Sequence, residues 1–517
     1  MSKKIKDEII EISKNIDKRE LEKFTNEIGC LIDKYSTTDL QGNYNRIYED
    51  IERAIELSIE NPEITNVLYF YYGNLLSDMR RIQQKTGQNS DVDTSYKIIS
   101  KYIEALKFSP SLEIKKNLYV NVGNELNTLN RHFESISFYE KAIEIDKNFG
   151  MALGNKAITL KKIIAGLYDQ GHCKLITHEA LNLSKRAIRD NFVEDEMKKN
   201  LENFIVHYNN YFNGDQNLLE CLNKTKSYNS KEEDEYRNWC AQNKLFINPL
   251  NEITNGYITQ ADPTHLPSFI SSIDEGPFLI GMYNNIKQEF VSARYMYYSA
   301  VYKQSKHFSD KDVKIIDTFD YSHNSYKFEL MKSSFRIFYS IMDKISYIIN
   351  SYFQVGMKYS NVSYLEIWGY NNILKIRMDE TKNTHLNALY SMRYELQSIG
   401  NKGTDLNKIQ QFKYFSNDFI VILSEIRNSM EHKFLRIQNN SNMNLDLYLK
   451  EPEGISYNIS RDNFEYASLH LAKVIRNAIL YLSMAVKHEE DIRNKSKINK
   501  EFIISTELIT LNDELKR

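Results

Sequence analysis

Leu118-Tyr-Val-Asn-Val-Gly123-Asn-Glu-Leu126, followed by Phe133, Ser135, Tyr139 and Ala142 and a break near Asp146 to Asn148, reads as two helices folded back on each other. At 3.6 residues per turn, Tyr119 and Leu126 share the apolar face of the first helix with the small residue Gly123, while Tyr139 and Ala142 belong to the second. Moving on by about 34 residues puts Ala157 at the small position between Leu153 and Leu160, with a second helix due around Ala180 to Ala187. Upstream, Tyr69-Phe-Tyr-Tyr-Gly73-Asn-Leu-Leu76 gives the same first-helix pattern. Tyr102, Ala105 and Pro110 fit the end of its partner after an insertion containing Gln88-Asn-Ser-Asp-Val-Asp93. A helix pair with one apolar face cannot bury it alone, so such pairs stack and leave a concave surface for a ligand or peptide.

Composition agrees with a helical chain. Average usage would give about 36 Gly and 26 Pro in a chain of this length; the sequence has 18 and 7 in 517 residues. Sheets need a turn at nearly every strand, usually built with those residues, so the expected class is all-α. With 42% apolar and 26% charged residues, global disorder is excluded. The formal charge of −2 means that any basic patch for nucleic acid is local. The first residues contain no unbroken apolar run of the kind a secretory signal needs. The apolar stretch from Ala478 to Val486 is shorter than the ~20 residues that span a bilayer. No membrane is therefore expected. Cys30, Cys173, Cys221 and Cys240 are scattered, which fits reduced thiols and a cytoplasmic location. No metal or cofactor is expected: His172, Cys173 and His178 lack a second ligand pair, and no Gly-rich phosphate loop occurs.

Four of the seven prolines fall between 212 and 285, in Asn248-Pro249, Asp262-Pro263, Leu266-Pro267 and Gly276-Pro277, alongside Asn213-Gly-Asp-Gln and Asn255-Gly256. This texture predicts turns and short elements, with a docked helix beginning at Glu235-Tyr-Arg-Asn-Trp239. The expected organisation is N-terminal helices at 1–65, repeats at 66–211, a connector at 212–285, a helical domain at 286–490 and a polar tail at 491–517 with one apolar patch at Phe502-Ile-Ile504.

Chemistry concentrates in Phe419-Ile-Val-Ile-Leu-Ser-Glu-Ile-Arg427-Asn428-Ser-Met-Glu431-His432-Lys433-Phe434. Around Ile426, the residues Phe419, Leu423, Met430, Phe434 and Ile437 fall within an arc of about 60° and predict a core stripe. His432 points away from that stripe with Asn428 beside it, and Arg427 lies about 140° from His432. That divergence predicts a site made by two helices. Alternative readings of the same residues are an Arg427–Glu431 surface ion pair at i, i+4 and a solvated His432. Asp343 lies on a helix with Phe335, Phe338, Ile341, Ile345 and Ile348; it either pins Arg427 across the bundle or pairs with Lys344 on a wet face. Asp274 and Glu275 read as a turn with a helix N-cap, not as a metal site. Tyr295, Tyr297, Tyr298 and Tyr302 are placed either to stack bases or to fill a core.

Two resemblances follow. The Leu118–Ala142 unit and its neighbours resemble tetratricopeptide repeats. Ile247-Asn-Pro-Leu-Asn-Glu252, Ser272-Ile-Asp-Glu-Gly-Pro-Phe278, Ile286-Lys-Gln-Glu-Phe-Val-Ser-Ala-Arg294-Tyr, His307-Phe-Ser-Asp-Lys-Asp312, Phe335-Arg-Ile-Phe-Tyr339-Ser-Ile-Met-Asp343-Lys-Ile and Ile426-Arg-Asn-Ser-Met-Glu-His-Lys-Phe434 resemble the LA2681-like HEPN family from about Tyr236 to Glu490. The resemblance implies a tetratricopeptide-like superhelix followed by a HEPN helical bundle. It further implies RNA cleavage without a metal or cofactor, by a homodimer whose motifs face one another. His432 would then be the general acid/base, Arg427 the phosphate ligand, and Asn428 a group orienting His432 or the phosphate, with Glu431 and Asp343 in support. The products would be a 2′,3′-cyclic phosphate and a 5′-hydroxyl. The expected setting is a regulated toxin or antiphage effector whose superhelix binds a protein or peptide trigger. The rival reading is a non-catalytic scaffold or RNA-binding dimer in which the same helix only packs.

Overall fold

The computed structural model describes residues 2–13, 16, 20–34, 43–85, 92–190, 193–208, 224, 228, 230–270, 277–303, 306–317, 322–396, 417–438, 455–495, 508–511 and 513–515. Among them are seventeen α-helices and one two-stranded sheet, so the chain is all-α. The Asn213-Gly-Asp-Gln stretch, Cys221, Asp274, Glu275 and Phe502-Ile-Ile504 lie outside the described residues.

The first ten helices are α1 (Ser2–Ser13), α2 (Leu21–Lys34), α3 (Tyr44–Ser58), α4 (Pro62–Lys85), α5 (Val92–Lys107), α6 (Leu112–Thr128), α7 (His132–Ile145), α8 (Gly150–Gly166), α9 (Gln170–Ala187) and α10 (Asp195–Tyr208). From α3 to α10 each helix packs on the next. Side chains fix where they start: the Ser111 hydroxyl accepts the Ile114 N–H before α6, and Asp169 accepts the His172 N–H at 2.8 Å before α9. Asn130, at φ 61°, supplies the left-handed residue between α6 and α7, and the Arg131 N–H closes back on the Leu126 carbonyl at 2.8 Å.

One packing unit occurs twice. The Tyr102 ring of α5 lies against Gly73 of α4, and its hydroxyl donates to Asn74 at 3.0 Å. The Tyr139 ring of α7 lies against Gly123 of α6, and its hydroxyl donates to Asn124 at 2.9 Å. A methyl at either glycine would run into the tyrosine ring. The glycine spaces the helices, and the next residue satisfies the phenol that burial would otherwise strand.

The C-terminal bundle consists of α11 (Lys231–Gln242), α12 (Phe278–Tyr302), α13 (Tyr326–Tyr352), α14 (Ile373–Asp379), α15 (Thr384–Leu396), α16 (Asn417–His432) and α17 (Arg461–Lys495). The strands β1 (Phe434–Gln438) and β2 (Ser456–Ser460) pair in parallel, with Phe434 opposite Ser456. Helix α17 is the central post, packed on α12, α13 and α15. It extends on both sides of Ala478–Val486. By length and composition it is apolar enough to cross a membrane, but 83% of its most apolar stretch is buried inside the fold.

Among the described residues no break separates this bundle from α7–α10. A single hydrophobic core runs from Phe133 and Leu160 to Tyr481 and Leu482. Residues 243–267 join it through two 3-10 turns, Pro249–Glu252 and Tyr257–Thr259. Arg476 of α17 holds that segment, donating to the carbonyls of Phe246 and Asn248 at 2.8 and 2.7 Å and to Glu252 at 2.6 Å. Arg294 of α12 grips Asp262 through two bonds of 2.8 and 3.0 Å. The Pro- and Asn-rich stretch is thus a strap whose polar groups are satisfied by buried arginines.

Candidate functional site on helix α16

Helix α16 is anchored by Leu423 and Ile426, both fully buried, and by Ser429, with Met430 packed on the same core. The predicted helical stripe stops earlier than its periodicity implied. The helix ends at His432, and Phe434 begins β1 with 67% of its surface exposed, while Ile437 is buried from the strand. Alternation along a strand turns Phe434 outward and places Leu435 and Ile437 inward, which the helical projection could not foresee. The side chain of Phe419 lies outside the described residues.

Arg336 of α13 secures the end of α16. Its Nη2 donates to the Met430 carbonyl at 2.9 Å, and its Nε lies 3.2 Å from Glu431. Last-turn carbonyls lack partners within their own helix, so a cation from a neighbour is a suitable cap. Glu431 therefore pairs across helices with Arg336. No ion pair joins it to Arg427 among the described residues.

Arg427 is half-buried. Its Nη1 donates to the side-chain oxygen of Asn428 at 3.0 Å, and its guanidinium lies 5.7 Å from the Tyr339 ring centre on α13. Asn428 thus contacts Arg427, not His432. His432 is exposed at the helix end, about 7.5 Å further along the axis. Asp343 does not reach Arg427: its carboxylate accepts the Tyr364 N–H at 2.8 Å. The structure therefore brings Arg427 and Asn428 together and leaves His432 and Asp343 apart from them. Among the described residues, no group of three or more His, Cys, Asp or Glu is placed to hold a metal ion.

Tyr339 is the contributor that motif reading missed. Its phenol donates to the Leu396 carbonyl at the end of α15, at 3.1 Å. Burial pushes its pKa up to about 12, against the Arg427 charge and with Asp343, so it is a hydroxyl donor at neutral pH. The signal was present in Arg336, Tyr339 and Asp343, spaced i, i+3, i+7 on α13, which lie on one face of a helix. That polar stripe runs along a helix otherwise packed through Phe335, Phe338 and Ile341. Chemically, Arg427 spends one N–H on Asn428 and keeps a fork able to take a phosphate, with the His432 imidazole about 1.4 turns further along the helix.

Residues 270–489 match the family model described as LA2681-like HEPN. Within the matched residues lie α12 to α16, both strands, most of α17 and all five predicted site residues; α1–α11 precede them. Comparison with the curated proteins and with the solved structures returned no match.

Proposed function

We propose that the chain is a metal-independent endoribonuclease of the HEPN type. The observation that carries this is the match over 270–489, which encloses a helix presenting Arg427, Asn428 and His432. In the reading, Arg427 binds the scissile phosphate bidentately and stabilises the charge that develops on it. Asn428 holds the Arg427 fork. His432 acts in proton transfer, for which imidazole suits neutral pH. The ribose 2′-OH loses its proton, the 2′-oxygen forms a bond to phosphorus, and the bond to the 5′-oxygen breaks as that oxygen gains a proton. A 2′,3′-cyclic phosphate and a 5′-hydroxyl result.

The separation of Arg427 and His432 on one helix supports a site shared by two copies, Arg427 from one and His432 from the other. Beside His432, Phe434 and Ile455 are exposed and adjacent, with the Phe434 N–H on the Ile455 carbonyl at 3.1 Å. They offer apolar surface for such a contact. The tetratricopeptide-like helices then serve as the sensor of a protein or peptide trigger, and the cytoplasmic role is that of a regulated toxin or antiphage effector.

The test is cleavage of a mixed RNA pool in EDTA, with analysis of the new 3′ ends. Native protein should leave cyclic phosphates and His432→Ala should not. Mixing Arg427→Ala with His432→Ala protein should restore roughly a quarter of the native rate, because half the dimers carry one intact site of two. Cleavage that survives His432→Ala, or 3′-hydroxyl ends, would overturn the assignment; an inactive mixture would overturn the shared site.

A further inference from the structure

Three contacts and one peptide link form a continuous path from the N-terminal helices to Arg427. Arg131, in the α6–α7 turn, is fully buried; its Nη1 donates to Glu395 and to the Tyr96 oxygen, and its Nη2 lies 2.8 Å from Glu134. Glu395, 1% exposed on the last turn of α15, also meets His470 of α17 at 3.0 Å. The next residue, Leu396, gives its carbonyl to the Tyr339 hydroxyl. The Tyr339 ring in turn lies beneath the Arg427 guanidinium.

We propose that Tyr339 is a positioning residue for Arg427, and that Arg131 and Glu395 fix Tyr339 by fixing the end of α15. The inference rests on the ribonuclease reading for its activity arm. Each link is of a kind that resists displacement. A buried arginine between two carboxylates has no solvent to replace a lost partner, so the Glu395 carboxylate keeps its place relative to the α6–α7 turn. Leu396 belongs to the last turn of α15, whose carbonyls lack intrahelical partners. The Tyr339 hydroxyl fills that vacancy, which sets the ring's rotation about its helix. A cation over an aromatic face is held most strongly where water is excluded, and Tyr339 is largely buried. Asn428 then fixes the second direction of the guanidinium fork. Displacement of the α6–α7 turn by a ligand on the repeats would reach the phosphate-binding group through this path.

Two substitutions separate the parts. Tyr339→Phe keeps the ring and removes the hydroxyl; Glu395→Gln keeps the shape of the side chain and removes its charge. In single-turnover RNA cleavage by the full chain, each should lower the rate about 3- to 10-fold, the scale of one hydrogen bond, with KM within about twofold. The double variant should be no slower than the slower single, because both act through one group. Multiplicative losses would overturn the path. Tyr339→Leu, which also removes the ring, should lose about 10- to 30-fold, and native rates in Tyr339→Leu would overturn the positioning role. A second readout needs no activity. In hydrogen–deuterium exchange of the intact protein, Tyr339→Phe and Glu395→Gln should both speed exchange across residues 423–432 and leave α12 unchanged. Unchanged exchange there refutes the path even in a protein that cuts RNA. Faster exchange in a protein that does not cut RNA supports the path and removes only the ribonuclease reading.

Discussion

Arginines in the sealed part of the molecule differ from the one on α16. Arg80, Arg131, Arg294 and Arg476 are each no more than 5% exposed, and each meets a carboxylate: Glu125, Glu134 with Glu395, Asp262 and Glu252 respectively. Arg427 is half-buried and is held by a neutral amide and a ring. Among the described residues it has no carboxylate partner. A guanidinium already matched to a carboxylate is a structural strut, since its charge is neutralised in the folded state. One oriented by neutral groups retains its charge for an incoming phosphate. The difference separates residues that hold the fold from the residue expected to hold the substrate.

The largest effects should split along that line. Arg427→Ala should reduce RNA cleavage about 100- to 1000-fold, as loss of a transition-state charge stabiliser does, with little change in thermal stability. Arg131→Ala should destabilise the protein by roughly 3–5 kcal/mol, because Glu134 and Glu395 would be left buried without their cation. Chemical denaturation of both variants beside their cleavage rates checks the contrast. An Arg427→Ala protein as unstable as Arg131→Ala would erase it.

How much of this was legible in the sequence differs between the two regions for a physical reason. Periodicity reports burial, and the Gly73 and Gly123 helix pairs were read from it because a small residue under a tyrosine leaves a regular imprint. The class of the fold followed from scarce Gly and Pro. The Arg427-Asn428 neighbourhood was visible as a motif. Its geometry was not, since the end of α16 is decided by Arg336, nearly a hundred residues away in sequence, and by the strand pairing of Phe434–Gln438. The role of Glu431 shows the limit: spacing within one helix suggested Arg427, whereas a cation on a neighbouring helix takes it. Segment 243–267 has turn-like composition, but only the buried Arg476 and Arg294 reveal that those turns are packed.

A smaller effect sharpens the same contrast through histidines. His385 is 4% exposed, faces His488 at 6.5 Å between ring centres, and its Nδ1 has no hydrogen-bond partner among the described residues. Burial, reinforced by His488, pushes its pKa down to about 3. The unfolded chain titrates near 6.5 and therefore binds the proton first, so stability falls as pH drops below that value. The loss at pH 5 should be about 2 kcal/mol. Denaturation of native protein and His385→Leu at pH 7.5 and pH 5 should show a shallower pH dependence in the variant. Equal slopes for native and His385→Leu would remove His385 from the sealed class.

The smallest effect tests whether Arg427 is free of carboxylate control. Glu431 and Arg336 are 46% and 40% exposed at 3.2 Å, a setting in which an ion pair is worth about 0–1 kcal/mol. Glu431→Gln should therefore cost less than about 1 kcal/mol. It keeps a side chain of the same size, and the Arg336 bond to the Met430 carbonyl still caps α16. Cleavage should stay within about twofold of native, since the amide changes neither the Asn428 contact nor the Tyr339 ring. A tenfold loss would mean that Glu431 serves the reaction itself, as a proton acceptor or as a partner to Arg427 in the assembled site. In that case Arg427 would resemble the sealed arginines after all, its carboxylate supplied only when the site is complete.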